Sequence, residues 1–76
     1  MSNTENPIKG PDNLVKGLLD QIERVKIISD IYGEIPAGAL AKGFMDHDIR
    51  KAKEAMTLGD TIEMMKCYKK LAEYQL

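Results

Sequence analysis

Apolar residues recur along most of this chain at the three- and four-residue spacing of amphipathic α-helices. The first such segment begins near Leu14, with Asp12 or Asn13 as its N-terminal cap, and ends at Gly33. Eight residues fall on one face of this helix and are predicted to form its core side: Leu14, Val15, Leu18, Leu19, Ile22, Val25, Ile28 and Tyr32.

Two isoleucines of the first helix depart from this pattern. Ile27 and Ile31 project onto the opposite, polar face, so we predict that they form a second contact surface. The stretch 24–32 is rich in Val and Ile, and an alternative is that it forms a strand. The helical pattern of the preceding two turns and the lack of a partner strand favour the helix.

The second helix is predicted from about Pro36 to Leu58, because proline is well suited to a first helical turn. Gly38 and Gly43 weaken its first half, which leaves open a break before Asp46, with Asp46 as a fresh cap. Its inward face is predicted to carry Ala41, Phe44, Met45, Ile49, Ala52, Ala55 and Met56.

The last stretch, 60–76, is predicted to be the third helix. Gly59 suits the left-handed position that ends a preceding helix, and Asp60 with Glu63 resembles a capping box. An apolar arc of roughly 200° covers most of this helix. It therefore packs one face on the chain's own core and turns another to a partner, or else lies centrally and is covered on two sides by the other helices. The arc comprises Met64, Met65, Cys67, Tyr68, Leu71, Ala72, Tyr74 and Leu76.

These segments predict an all-α fold: a small three-helix bundle made of a helical hairpin plus one helix. Residues 1–11 are polar, contain two prolines, and are predicted to be a flexible N-terminal arm, whereas residues 12–76 form a single helical domain. A chain of 76 residues buries only about 60% of its unfolded surface, and its single cysteine allows no intrachain disulfide. We therefore expect oligomerisation to complete the bundle.

Charge and composition narrow the possible partners. Eleven basic and twelve acidic residues are interspersed, which argues against a nucleic-acid-binding surface. No apolar run approaches the roughly 20 residues needed to span a bilayer, and the N-terminus lacks the apolar segment of a signal peptide. A lone cysteine favours a reducing cytoplasm.

Two motifs resemble a ligand-binding or catalytic site but lack the residues or the geometry that such a site requires. Gly33 and Gly38 have the glycine spacing of a phosphate-binding loop, but Ala39 and Leu40 stand where Lys and Ser or Thr should follow. We interpret this segment as a turn.

The triplet Asp46-His47-Asp48 does not converge on a helix, because consecutive residues point about 100° apart. It is better explained as a solvated helix surface. Asp48 projects towards the apolar seam, where it needs a partner such as a backbone N–H, or a lysine or tyrosine across an interface; otherwise it sits at the rim.

We predict no catalytic residue, no metal site and no cofactor. The leading hypothesis is a non-enzymatic helical protein-binding module (an adaptor, regulator or inhibitor of another protein) that self-associates as a homodimer or higher oligomer. Its predicted interface consists of Ile27, Ile31, Met64, Cys67, Leu71 and Tyr74.

Two alternative functions remain open. One is a small-ligand or nucleotide-binding sponge with sites between subunits, in which lysines contact phosphates and tyrosines stack on bases. The other is a DNA-binding regulator that uses the second and third helices as a helix-turn-helix, although the near-neutral charge argues against it. The ligand-binding residues of the first alternative are Lys66, Tyr68, Lys69 and Lys70.

Overall fold

The computed structural model describes residues 11–76, and the fold within them is three α-helices that each pack on the other two. No strand occurs in this part of the chain, so the predicted all-α three-helix bundle is confirmed. None of these helices is both long and apolar enough to cross a bilayer. The elements are α1 (Pro11–Gly33), a short 3-10 helix (Pro36–Gly38), α2 (Ala39–Leu58) and α3 (Thr61–Ala72).

The first helix begins earlier than predicted. α1 starts at Pro11, so Asp12 and Asn13 lie inside the helix and cannot be its N-terminal cap. Proline starts helices readily because its φ is already helical and it has no N–H left without a partner. Pro11 therefore belongs to the helix and not to the predicted arm. The rest of that arm, residues 1–10, lies outside the described residues.

The core is built from regularly spaced residues of all three helices. The prediction of a core position is wrong for Leu19, which is 50% exposed, and for Phe44, which is 57% exposed. Leu19 lies at the edge of its apolar arc, away from both neighbouring helices. Phe44 lies near the start of α2, beyond the end of the shorter helix α3. The buried apolar residues are Leu14, Leu18, Ile22, Val25, Ile28, Met45, Ile49, Ala52, Ala55, Met64, Cys67 and Leu71.

The connection between α1 and α2 depends on a close backbone approach. Gly38 is buried against the last turn of α1, and a Cβ atom there would lie 2.2 Å from the carbonyl oxygen of Tyr32. The helix that follows is continuous through Gly43 from Ala39 to Leu58. Asp46 therefore lies within α2, and the break that the glycines left open is not present.

The turn between α2 and α3 has the predicted left-handed glycine. Gly59 has a φ of 67°, and its N–H donates to the carbonyl oxygen of Met56 at 3.1 Å. The N–H of Asp60 donates to the carbonyl oxygen of Ala55 at 3.0 Å, which completes a Schellman motif. The Asp60 side chain caps α3 by accepting from the Glu63 N–H at 3.1 Å. The predicted capping box also requires the Glu63 side chain to accept from the Asp60 N–H, and this part of the prediction is wrong. The Asp60 N–H donates to the carbonyl oxygen of Ala55 instead.

Candidate functional site

The third helix is much shorter than the hairpin on which it packs. α3 contains 12 residues, whereas α1 contains 23 and α2 contains 20. At 1.5 Å per residue, α3 is about 18 Å long beside helices of about 34 and 30 Å. It therefore covers only part of the hairpin, and the tip, where α1 ends and α2 begins, extends past its C-terminal end.

An arginine of α1 holds the C-terminal end of α3. The guanidinium of Arg24 donates from Nη1 to the Tyr74 carbonyl at 2.8 Å and from Nη2 to the Leu71 carbonyl at 2.9 Å. Its Nε donates to Oε1 of Gln21 at 3.1 Å, which orients the guanidinium. A cation is favourable here because the last carbonyls of a helix have no intrahelical donor. The sequence analysis did not assign this role to Arg24.

A tyrosine of the C-terminal segment contacts α2 at the same end. The Tyr74 hydroxyl donates to Oδ2 of Asp48 at 2.5 Å. Burial, together with this hydrogen bond and the negative charge of Asp48, raises the pKa of Tyr74 to about 12. For Asp48 the sequence analysis left open a backbone N–H, a lysine or tyrosine across an interface, or a position at the rim. A tyrosine partner is present, but it lies within the same chain.

A partly buried polar network joins α1 to α2. Ser29 is 1% exposed, and its Oγ donates to Oδ1 of Asp46 at 2.6 Å and accepts from Nζ of Lys42 at 3.1 Å. The Ser29 hydroxyl, assisted by Lys42 and Arg50, lowers the pKa of Asp46 against the opposing effect of burial. Because Ser29 lies opposite Asp46 in this antiparallel pair, Ile31 and Phe44 lie at about the same level along it. The sequence analysis did not single out Ser29.

Apolar side chains are exposed where the hairpin passes the end of α3. Ile31 lies seven residues after Arg24 and so falls on the same side of α1, and Phe44 lies four residues before Asp48 and so falls on the same side of α2. Arg24 and Asp48 contact the C-terminal end of α3 and the segment after it, whereas Ile31 and Phe44 lie nearer the tip. Phe44 is exposed for this reason, and Ile31, at the same level on α1, is 39% exposed. Ile27 and Leu76 line one shallow cavity together with Arg24, Ile28 and Gln75. We call this surface the apolar tip; its members are Ile27, Ile31, Ile35, Leu40, Phe44 and Leu76.

Three of the six residues predicted at an interface are instead core residues. Met64, Cys67 and Leu71 are at most 7% exposed because α1 and α2 cover α3 on two sides, which was the alternative left open for this helix. The thiol of Cys67 has a raised pKa, chiefly through burial and then through the nearby Glu63 carboxylate, so it stays neutral. Of the other three, Ile27 and Ile31 are exposed and Tyr74 is half-buried.

The four residues predicted to bind a ligand do not form one site. Lys66 and Lys70 line a groove between α2 and α3. Tyr68 and Lys69 lie on the other flank of α3, in a small apolar pocket on the α1 side. The Tyr68 ring packs against Gly17, where a Cβ atom would lie 3.1 Å from Cε2. A base stacked on Tyr68 would therefore be on the wrong side of α3 for Lys66 and Lys70.

The groove between α2 and α3 is lined mainly by charged side chains. Its volume is about 320 Å³, and Nζ of Lys51 lies 3.8 Å from Oε2 of Glu63 across it. Asp46 points instead to the α1 side of α2, so the triplet Asp46-His47-Asp48 does not converge, as predicted. The lining residues are His47, Asp48, Lys51, Glu63, Lys66, Cys67 and Lys70.

The described part of the chain thus carries exposed apolar side chains at one end and a charged groove between α2 and α3. Among residues 11–76, no three His, Cys, Asp or Glu side chains lie close enough to hold a metal ion. Comparisons of this chain with protein-family models, with curated proteins and with solved structures found no match.

Proposed function

We propose that this chain is a non-enzymatic protein-binding module that self-associates, with the apolar tip as its contact surface. The observation that carries this proposal is the gathering of exposed apolar side chains at one end of the molecule. Six of the ten large hydrophobic residues exposed within residues 11–76 belong to the apolar tip. Exposed apolar side chains that gather at one end of a small domain are typical of a protein-contact site.

A second copy of the chain is the occupant that the tip fits best. The stretch 27–44 contains only three charged residues, and one of them, Lys42, is directed to Ser29 and Asp46 on the α1–α2 side. The other two are Asp30 and Glu34. Nζ of Lys42 also lies 3.9 Å from Oδ1 of Asp30 and offsets its charge, so Glu34 is the main source of like-charge repulsion between two tips. A pairing of the same patch on both copies is also the commonest symmetry of soluble oligomers.

The exposed area is sufficient for a dimer. The side chains of the apolar tip are between 39% and 77% exposed. With on the order of 200 Å² for each fully exposed side chain of this size, the tip offers roughly 600–700 Å² per copy. Burial of most of this area on both copies would exceed the roughly 1,000 Å² that separates specific interfaces from weak contacts.

Such a module could act as an adaptor, a regulator or an inhibitor of another protein, because each of these roles requires binding and no catalysis. We place this role in a reducing cytoplasm, where the neutral, buried thiol of Cys67 stays reduced.

The proposal is tested by light scattering over a concentration series with charged substitutions in the tip. We expect a dimer or higher oligomer for the unmodified chain, and mainly monomer for Ile31→Glu and Phe44→Glu, because an unpaired charge in an apolar interface is costly. Leu58→Glu is the matched control, since Leu58 is 74% exposed but lies at the opposite end of α2. It should leave the mass unchanged.

Two outcomes would contradict self-association through the tip. One is a monomer at every concentration of the unmodified chain. The other is equal dissociation by Leu58→Glu and Phe44→Glu, which would place the contact elsewhere. Circular dichroism of each variant checks that the helices persist.

A further inference from the structure

The charged groove between α2 and α3 has no part in the proposed self-association. We propose that it binds a compact phosphate group, such as the phosphate of a small monoester. The proposal rests on basic side chains that approach one cavity from two helices.

The basic groups are paired along each helix and face one another across the groove. His47 and Lys51 are one turn apart on α2, and Lys66 and Lys70 are one turn apart on α3. Each lysine supplies three donors on a flexible stem, so Lys66 and Lys70 can turn towards the oxygens of one phosphate while Lys51 keeps Glu63 as its partner. A volume of about 320 Å³ is at the small end of ligand cavities, which suits a compact anion.

The acidic groups of the groove already have partners. Asp48 accepts the hydrogen bond from Tyr74, and Glu63 lies beside Lys51. Three lysines face these two carboxylates, so the groove keeps a net positive charge even with His47 neutral. Neither Lys66 nor Lys70 has an acidic partner within 4 Å in the described part of the chain. These two lysines are therefore free to bind an anion.

The groove favours a small phosphate over a nucleotide. A nucleotide site gains much of its affinity from an aromatic ring that stacks on the base. No aromatic side chain lines the groove, and Tyr68 lies on the opposite flank of α3. The groove therefore recognises the phosphate and leaves a base without a stacking partner.

The test is an NMR titration of the ¹⁵N-labelled chain with inorganic phosphate, followed by AMP and a single-stranded DNA oligonucleotide. We expect saturable shifts at His47, Lys51, Lys66 and Lys70, with no tighter binding for AMP. The double variant Lys66→Gln/Lys70→Gln should weaken phosphate binding about tenfold or more, since it removes two charged hydrogen-bond donors from the groove.

The matched control is Lys53→Gln/Lys69→Gln, which removes the same charge outside the groove and should bind phosphate nearly as well as the unmodified chain. Equal weakening in both double variants, or shifts that do not saturate, would overturn the proposal. So would tighter binding of AMP with shifts at Tyr68, or tighter binding of the oligonucleotide. Phe44→Glu should retain phosphate binding, which separates a failure here from a failure of the self-association proposal.

Discussion

Two glycines near the start of α2 serve different purposes. Gly38 allows the 3-10 turn to lie against the carbonyl oxygen of Tyr32, and any Cβ atom there would clash with this backbone. A Cβ atom at Gly43 would meet nothing within 4 Å, and this glycine lies inside a regular helix. The first glycine is required by packing, whereas the second only weakens its helix.

Alanine substitutions should therefore change stability in opposite directions. Gly38→Ala is expected to lower the free energy of unfolding by about 1–3 kcal/mol, because the turn must move away from Tyr32. Gly43→Ala is expected to raise it by about 0.5–1 kcal/mol, because alanine loses less backbone entropy in a helix. Urea unfolding measures both values, and changes of the same sign would contradict this account.

At the scale of the elements, α3 depends on contacts at both of its ends. A helix of 12 residues is marginal by itself, so its stability comes from packing and from its termini. Asp60 caps the N-terminal end through the Glu63 N–H. Arg24 of α1 satisfies two carbonyl oxygens at the C-terminal end. The end of α3 thus depends on a residue some 50 positions earlier in the chain.

Loss of the Arg24 guanidinium should fray the last turn of α3. Arg24→Gln removes two charge-assisted hydrogen bonds that are partly shielded from water, and we expect a loss of about 2 kcal/mol in unfolding free energy. Hydrogen exchange should become faster for the amides of the last turn, 69–74. Lys26→Gln, a change at an exposed position of the same helix, serves as the control. Unchanged exchange in 69–74 would show that Arg24 does not hold this end.

At the scale of the whole molecule, two titrating groups report on how the helices are joined. Asp46 connects α2 to α1, and its pKa in the folded chain is lower than its ordinary value of 3.8. It therefore stabilises the folded chain at pH values above 3.8. That contribution is lost as the pH falls through the lower value of the folded state. Tyr74 connects the C-terminal segment to α2, and its pKa is raised from 10.0 to about 12. Its contribution is complete below about pH 10 and is lost as the pH rises towards 12.

Substitutions of Asp46 and Tyr74 should change how the free energy of unfolding depends on pH, the first at acidic pH and the second at alkaline pH. Asp46→Asn should be less stable than the unmodified chain near neutral pH, and the difference should narrow below about pH 3.8. Tyr74→Phe should show a deficit at about pH 8 that narrows between about pH 10 and 12. Unfolding by urea at a series of pH values measures both differences. A deficit that is independent of pH would contradict the assigned hydrogen bonds.

The sequence by itself determined the three helices, the left-handed end of α2 at Gly59 and most of the core. Each of these follows from residues within a few positions of one another, because helical periodicity and turn chemistry are local properties. The exposure of Ile27 and Ile31 was predictable for the same reason. The start of α1 was missed because proline and an aspartate cap both favour a helix start, at neighbouring positions.

Only the tertiary structure decided which surfaces are open and which side chains meet. The burial of Met64, Cys67 and Leu71 and the exposure of Phe44 depend on how far α3 extends along the hairpin. The contacts of Arg24 and Tyr74, and the groove that faces His47 towards Lys70, join residues more than 20 positions apart. Periodicity identifies the face of one helix, but the pairing of two faces depends on the register and alignment of the packed helices.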